Sequence, residues 1–247
     1  MFNLQKHKAF ISGSSRGIGR AVAMKLLEAG ARVILHGTAM TPKLEETLAQ
    51  AGPDAACLTA DFNDAAAVEK LAEQLLQPEM NPDILVLNCS FQNYIGVSNF
   101  SHDEFDRMFR INLESNFLLL NRLLPSLKAR QWGRIILVNS INGIRPAPRL
   151  SVYASTKAAL LAFGDAVAKE YAPYGITVNS LVPGVICTDR NNEALKNQEF
   201  AESLMREIPA HRFGSAEECA AAAAFLASEE AAYVTGSRIH ISGGWQL

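Results

Sequence analysis

The sequence predicts an α/β fold: a doubly wound parallel sheet of about seven strands with helices on both faces. Three observations predict it. Short apolar runs alternate with helix-length segments almost to the end of the chain. Several of those runs are apolar at consecutive positions, as strands covered on both faces are. No linker rich in Pro, Gly or Ser divides the 247 residues, and 49% hydrophobic content is enough for one large core, so 1–247 read as a single domain.

In chain order, the strand-like runs are 8-KAFIS-12, 32-RVILH-36, 56-ACLTA-60, 83-DILVLN-88, 134-RIILVN-139, 176-ITVNSLV-182 and 238-RIHIS-242. Helix-like segments fall between them near 18–29, 42–51, 64–77, 103–130, 152–172 and 216–228. Within the last, 219-CAAAAAFLA-227 reads as a helix with a small-residue face that packs closely.

With 23 basic and 25 acidic residues the net charge is −2, which asks for neither nucleic acid nor an acidic membrane surface. The N-terminus MFNLQKHKAF carries no long apolar segment, and no run reaches the length that spans a bilayer. The four cysteines, Cys57, Cys89, Cys187 and Cys219, form no CxxC pair, so neither a metal site nor a disulfide framework is expected. These features predict a reduced, cytoplasmic protein.

The first strand runs into 12-SGSSRGIGRAVA-23, where Gly13, Gly17 and Gly19 follow a G-x-x-x-G-x-G spacing at the first strand-to-helix crossover. Such a turn lets the backbone approach a pyrophosphate whose charge sits at the positive helix N-terminus. The second strand ends in 33-VILHGT-38 with no Asp or Glu to bond a ribose 2′-hydroxyl. Arg16, inside the glycine loop, can fork onto a 2′-phosphate. NADP(H) is therefore the favoured dinucleotide, with NAD(H) as the alternative.

The stretch 151-SVYASTKAAL-160 places Tyr153 and Lys157 four residues apart on one helix face. A phenol titrates near pH 10 in water, at about the free value, and a neighbouring ammonium favours its phenolate and brings it within reach of neutral chemistry. Ser140 ends the strand 134-RIILVNS-140, at the sheet edge where ligands of parallel sheets bind, and its hydroxyl can bond a substrate oxygen. Asn112 sits inside a long apolar helical stretch, 110-RINLESNF-117, where a buried amide needs partners, a water chain being one.

Taken together these residues resemble the short-chain dehydrogenase/reductase family, common single-domain type, over essentially the whole chain; 183-PGVICT-188 and 234-VTGSRIHISGGW-245 are similar to it as well. The resemblance implies a Rossmann-like sheet and a catalytic set of Asn112, Ser140, Tyr153 and Lys157. Tyr153 is then the general acid in reduction and the base in oxidation, Lys157 lowers its pKa and holds the nicotinamide ribose, Ser140 orients the carbonyl, and Asn112 positions a relay water. The cofactor contacts it implies are Gly13, Ser15, Arg16, Gly17, Ile18 and Gly19, then Gly37, Thr38, Asp61 and Phe62, then Asn88, Cys89 and Ser90, with Tyr153 and Lys157, and finally Pro183, Gly184, Ile186 and Thr188. One departure stands at Leu87-Asn88-Cys89-Ser90, where the family carries Asn-Asn-Ala-Gly; the Ser90 Cβ is expected to crowd the ribose or shift the backbone.

Substrate choice is expected from 91-FQNYIGVSN-99, 141-INGIRPAPRLS-151 and a polar lid over 189–209. Two enzymatic readings stay open: oxidation or reduction of a small polar, sugar, polyol or keto substrate, and reduction of a 3-oxoacyl group on an acyl-carrier protein. At the two positions matched to the basic carrier contacts of such reductases the chain has Gln131 and Tyr174, with Arg130 and Arg134 close by. A non-catalytic dinucleotide-binding protein is the third reading. The family resemblance also implies a homo-oligomer, dimer or tetramer, with contacts from the helices near 103–130 and 152–172 and from the last strand with 243-GGWQL-247.

Overall fold

A computed structural model describes residues 2–247 apart from 190 and 192–195. Its seven strands are β1 (Lys8–Ile11), β2 (Arg32–Gly37), β3 (Ala56–Thr59), β4 (Ile84–Leu87), β5 (Gly133–Val138), β6 (Ile176–Pro183) and β7 (Arg238–Ile241). They pair in parallel throughout, in the order β3-β2-β1-β4-β5-β6-β7. Every strand expected from the sequence is present, its ends shifted by one residue at most. The chain winds outward from β1 to β3 and then returns to the other side of β1 to begin β4. That reversal opens a crevice at the carboxyl ends of β1 and β4.

The helices are α1 (Gly17–Glu28), α2 (Pro42–Ala51), α3 (Ala65–Leu75), α4 (His102–Phe109), α5 (Ser115–Arg130), α6 (Ser151–Tyr171), α7 (Gln198–Glu207) and α8 (Ala216–Ala227). Alternate strand residues feed two cores. Phe10, Leu85, Leu87 and Ile135 join α3, α5 and α6 on one face. Ala9, Ile11, Leu35 and Val86 join α1 and α8 on the other. On that second face Ala220, Ala223, Ala224 and Ala227 are fully buried near Val22, Ala23 and Leu26, so the alanine run does form a small-residue packing face.

One expectation is corrected. The helical segment near 103–130 is not continuous: α4 and α5 are joined by a π turn, Arg110–Glu114, with Asn112 in its middle. The extra residue in that turn breaks the regular i→i+4 ladder. Side chains compensate: the Ser115 hydroxyl donates to the Ile111 carbonyl at 2.8 Å and the Asn116 amide to the Asn112 carbonyl at 2.9 Å. Of the expected lid, α7 forms its described helix, and 190 and 192–195 lie outside the described residues.

Candidate active site

A cavity of about 880 Å³ opens along the carboxyl ends of the strands, from the glycine loop at one end to the 145–150 loop and Trp245 at the other. The glycine loop forms the first wall. Gly17 holds φ +55°, where a side chain is strained, and a Cβ on Gly19 would sit 2.2 Å from the Gly13 carbonyl oxygen. The loop is stitched to its neighbours. The Ser12 hydroxyl accepts from the Asn88 and Cys89 amides at 2.9 and 3.0 Å, and the Asn88 side chain donates to the carbonyls of Ser12 and Gly13 at 3.0 and 3.1 Å. Asn88 therefore fixes the shape of the phosphate loop from β4.

His36, at the end of β2, lines the cavity and braces the glycine loop, and the sequence reading missed it. Its Nδ1 lies 3.2 Å from the Gly13 amide and its Nε2 3.2 Å from the Ala60 carbonyl. The amide can only donate and the carbonyl only accept, so the ring is neutral with its proton on Nε2. Burial pushes its pKa down to about 4, against a smaller opposing effect of the Ala60 bond. The ring lies against Phe62, tilted by 35° with ring centres 4.4 Å apart. The signal available in the sequence was a histidine among strand apolars, immediately before Gly37 and Thr38.

Arg16, Gly37 and Thr38 line the cavity where β2 ends. Asp189 reaches over from the segment after β6, forming an ion pair with Lys43 and lying 4.0 Å from the Arg16 guanidinium. The Lys43 hydrogen bond and charge hold the Asp189 carboxyl below its ordinary range. Thus Arg16 and Lys43 bring two cations to the place where β2 offers no acidic residue.

At the centre, Ser140, Tyr153, Pro183, Gly184, Ile186 and Thr188 line the cavity, as do Ser15, Ile18, Cys89 and Ser90. Ser90 lies outside the left-handed region, so its Cβ is accommodated without backbone strain. Tyr153 and Lys157 are both buried, and the Lys157 ammonium lies 5.8 Å from the centre of the Tyr153 ring. Lys157 also donates to the Val138 carbonyl at 2.8 Å, which anchors α6 to the end of β5. The Ser140 hydroxyl accepts from the Asn142 amide at 3.2 Å.

Five sequence-predicted residues stand back from the cavity wall: Gly19, Asn112, Lys157, Asp61 and Phe62. Asn112 is fully buried, and its side chain is committed to protein partners. It accepts from the Phe91 amide at 2.7 Å and donates to the Phe91 carbonyl at 2.9 Å and to the Thr156 hydroxyl at 3.0 Å. Thr156 in turn donates to the Tyr153 carbonyl at 2.7 Å. Asn112 thereby clasps the segment after β4 to the helix bearing Tyr153. Asp61 accepts from the Asn63 amide at 2.9 Å, and Phe62 packs in the core under His36.

The residues present fit an NADP dinucleotide. The loop keeps its shape, with Ser15, Arg16, Gly17 and Ile18 on the cavity wall, only because Gly17 and Gly19 lack side chains, and Arg16 and Lys43, which share the Asp189 carboxylate, would meet a 2′-phosphate. Among the described residues no cluster of three His, Cys, Asp or Glu is placed to hold a metal ion.

Comparison with known proteins agrees with this geometry. A family model described as enoyl-(acyl carrier protein) reductase matches residues 13–246. The chain is 36% identical over 245 residues to a 3-oxoacyl-[acyl-carrier-protein] reductase FabG of Haemophilus influenzae, covering 99% of this chain and 100% of that one. A crystal structure of a 3-oxoacyl-(acyl-carrier-protein) reductase from Agrobacterium tumefaciens C58 with NADP bound superposes with a TM-score of 0.92 at 35% identity, over 98% of this chain and 95% of that one. A gluconate 5-dehydrogenase from Burkholderia cenocepacia J2315, in complex with NADP and tartrate, also gives 0.92, at 30% identity over 99% and 96% of the two chains.

Proposed function

This chain belongs to the short-chain dehydrogenase/reductase family and is an oxidoreductase that favours NADP(H), and we propose that it interconverts a carbonyl and a secondary alcohol on a small polar substrate of the sugar, polyol or keto class. The observation that carries the choice of a small substrate lies at the corner where carrier-protein contacts are expected. Of the two nearby guanidiniums one is buried and paired, and the fork of the other, which is exposed, is turned onto backbone carbonyls. Arg134 is buried, paired with Glu229 at 3.1 Å and bonded to the Ser228 carbonyl. Arg130 donates to the carbonyls of Asn81, Pro82 and Ser126. Gln131 is held in the left-handed region as the cap of α5, and the Tyr174 ring is covered by the Lys128 ammonium at 4.1 Å. An acidic carrier finds there the exposed charges of Lys128 and Arg130, with the Arg130 fork already bonded to carbonyls, rather than two open guanidinium forks.

In reduction, the Tyr153 hydroxyl gives its proton to the substrate oxygen, and in oxidation the phenolate removes it. The bound nicotinamide supplies or accepts the hydride. Lys157, fixed by the Val138 carbonyl, places its positive charge beside the Tyr153 ring and favours the phenolate. Ser140 donates to the oxygen as charge develops there, with its own orientation set by the Asn142 amide. The relay role implied for Asn112 falls to its carbonyl, to which the Asn116 amide already donates. The described part of the expected lid, α7, brings Leu204 and Glu207 to the cavity and serves to cover the substrate. The exposed Phe105 and Phe117, on α4 and α5, suit a contact between subunits of a homo-oligomer, which light scattering of the purified protein tests. A reduced cytoplasmic setting suits the four free cysteines.

A second reading, a 3-oxoacyl-acyl-carrier-protein reductase, is favoured by the full-length similarity to reductases of that name. The deciding experiment follows NADPH consumption with an acetoacetyl thioester alongside NADP⁺ reduction with sugars and polyols. Turnover of polyols with a silent thioester supports the first reading, and thioester turnover alone replaces it with the second.

A further inference from the structure

The loop 141–150 joins Ser140 to Tyr153 and brings two guanidiniums, Arg145 and Arg149, to the substrate end of the cavity. Their states differ. Arg145 is compensated: it lies 3.7 Å from the Glu207 carboxylate and donates to the Trp245 carbonyl at 2.9 Å. The Trp245 indole completes the group with a 3.4 Å bond to the same Glu207 oxygen. Arg149 has no carboxylate partner among the described residues. Among the described residues its only side-chain bond is to the Tyr94 carbonyl, at 3.0 Å, which leaves most of a five-donor fork uncommitted there.

The backbone marks the same residue, as one of four described non-glycine residues at positive φ and the one of them that lines the cavity. Arg149 holds φ +66°, in the left-handed region, at a cost of roughly 1–2 kcal/mol for a residue bearing a Cβ. The Arg149 carbonyl accepts from the Ile95 amide at 3.0 Å, so the strained residue is clamped to the 94–95 segment by both its main chain and its side chain. Glycine would occupy this position without strain, yet a long cation stands there, facing a cavity that also holds Tyr153 and Ser140. Strain of this kind is held where the surroundings build a site.

We infer that Arg149 anchors a carboxylate of the substrate, which makes the substrate a short hydroxy acid or oxo acid whose reacting oxygen lies against Tyr153 and Ser140. The inference rests on the oxidoreductase reading given above. A planar guanidinium fork matches a carboxylate with two parallel bonds. A phosphate dianion suits the site less well, because Glu207 faces the same end of the cavity and Arg145 is already balanced.

The test is isothermal titration of the protein saturated with NADP⁺, using gluconate, tartrate and lactate, each against its neutral amide. At least one acid is expected to bind roughly tenfold or more tighter than its amide. Arg149→Gln is expected to erase the gap and Arg149→Lys to keep part of it. Arg149→Gly fits the left-handed backbone while removing the guanidinium, and erases the gap without a folding penalty. Equal binding of every acid and amide, binding of none of them, or a gap that survives both Arg149→Gln and Arg149→Gly would overturn the inference. Turnover of the same panel, with neutral polyols and an acetoacetyl thioester added, separates the two levels. Turnover of neutral polyols or the thioester with no preference for acids removes the carboxylate anchor and leaves the oxidoreductase standing. No turnover of any alcohol or carbonyl, with NADPH still bound, removes the oxidoreductase reading itself.

Discussion

Protonation of His36 sets a pH limit on this fold that can be worked out from the structure. Burial lowers the pKa of the ring in the folded chain from the ordinary 6.5 to about 4. The folded value is depressed, so between these two limits the unfolded chain binds more protons, and stability falls as pH falls. Above pH 6.5 the ring is neutral in both states and contributes no pH dependence. At pH 5 the unfolded histidine is almost fully charged while the folded one is largely neutral, which costs about 2 kcal/mol of unfolding free energy relative to pH 7.5. The loss levels off below pH 4 at about 3 kcal/mol. His36→Asn places an amide oxygen where Nδ1 now accepts from Gly13 and removes the titration. Urea unfolding of both proteins from pH 7.5 to pH 5 isolates the effect, since all other titrating groups are shared. The wild type should lose about 2 kcal/mol more than the variant over that range. Parallel stability profiles, or an NMR titration of the His36 ring with a midpoint near 6.5, would refute the reasoning.

Further outcomes follow from the site geometry. Tyr153→Phe should lower kcat by about 10²–10⁴-fold while the NADPH dissociation constant measured by fluorescence stays within about twofold, because only the proton is removed. Asn112→Ala leaves the Phe91 amide and carbonyl and the Thr156 hydroxyl without their buried partner, and should cost about 2–4 kcal/mol in denaturant unfolding. An unchanged midpoint would show that the clasp between the 91 segment and α6 contributes nothing. Gly19→Ala forces a methyl group to within 2.2 Å of the Gly13 oxygen, so the loop must shift; NADPH should bind at least about tenfold more weakly, and wild-type affinity would contradict the close approach.

The sheet was legible because a buried parallel strand writes itself as consecutive apolar residues, as in 84-ILVL-87 and 135-IILV-138. The glycine loop and the Tyr153/Lys157 pair were legible because local spacing alone fixes which residues share a turn or a helix face. What the sequence hid depends on long-range contacts. The π turn at Arg110–Glu114 has the composition of ordinary helix, and only the tertiary bonds of Asn112 to Phe91 and Thr156 make the extra residue favourable. Arg130 and Arg134 looked available as entrance charges, yet their partners, Pro82 and Glu229, are remote in the chain. His36 escaped notice for the same reason, since the Gly13 amide that needs it is 23 residues earlier. The positive φ of Arg149 leaves no compositional mark at all.

The π turn also acts as a phase shifter. Each residue advances an α-helix by about 100°, so one residue added to a turn rotates everything downstream by that angle relative to everything upstream. Met108 on α4 packs with Leu150 and Tyr153, whereas Leu119, Leu120, Leu123 and Leu127 on α5 pack under the sheet. A regular helix through this region could satisfy one of those registers but not both. The inserted residue therefore decouples the side of the helix that packs on Tyr153 from the side that packs under the sheet, so that α4 and its contacts with Tyr153 can be retuned without disturbing the leucines that hold the sheet.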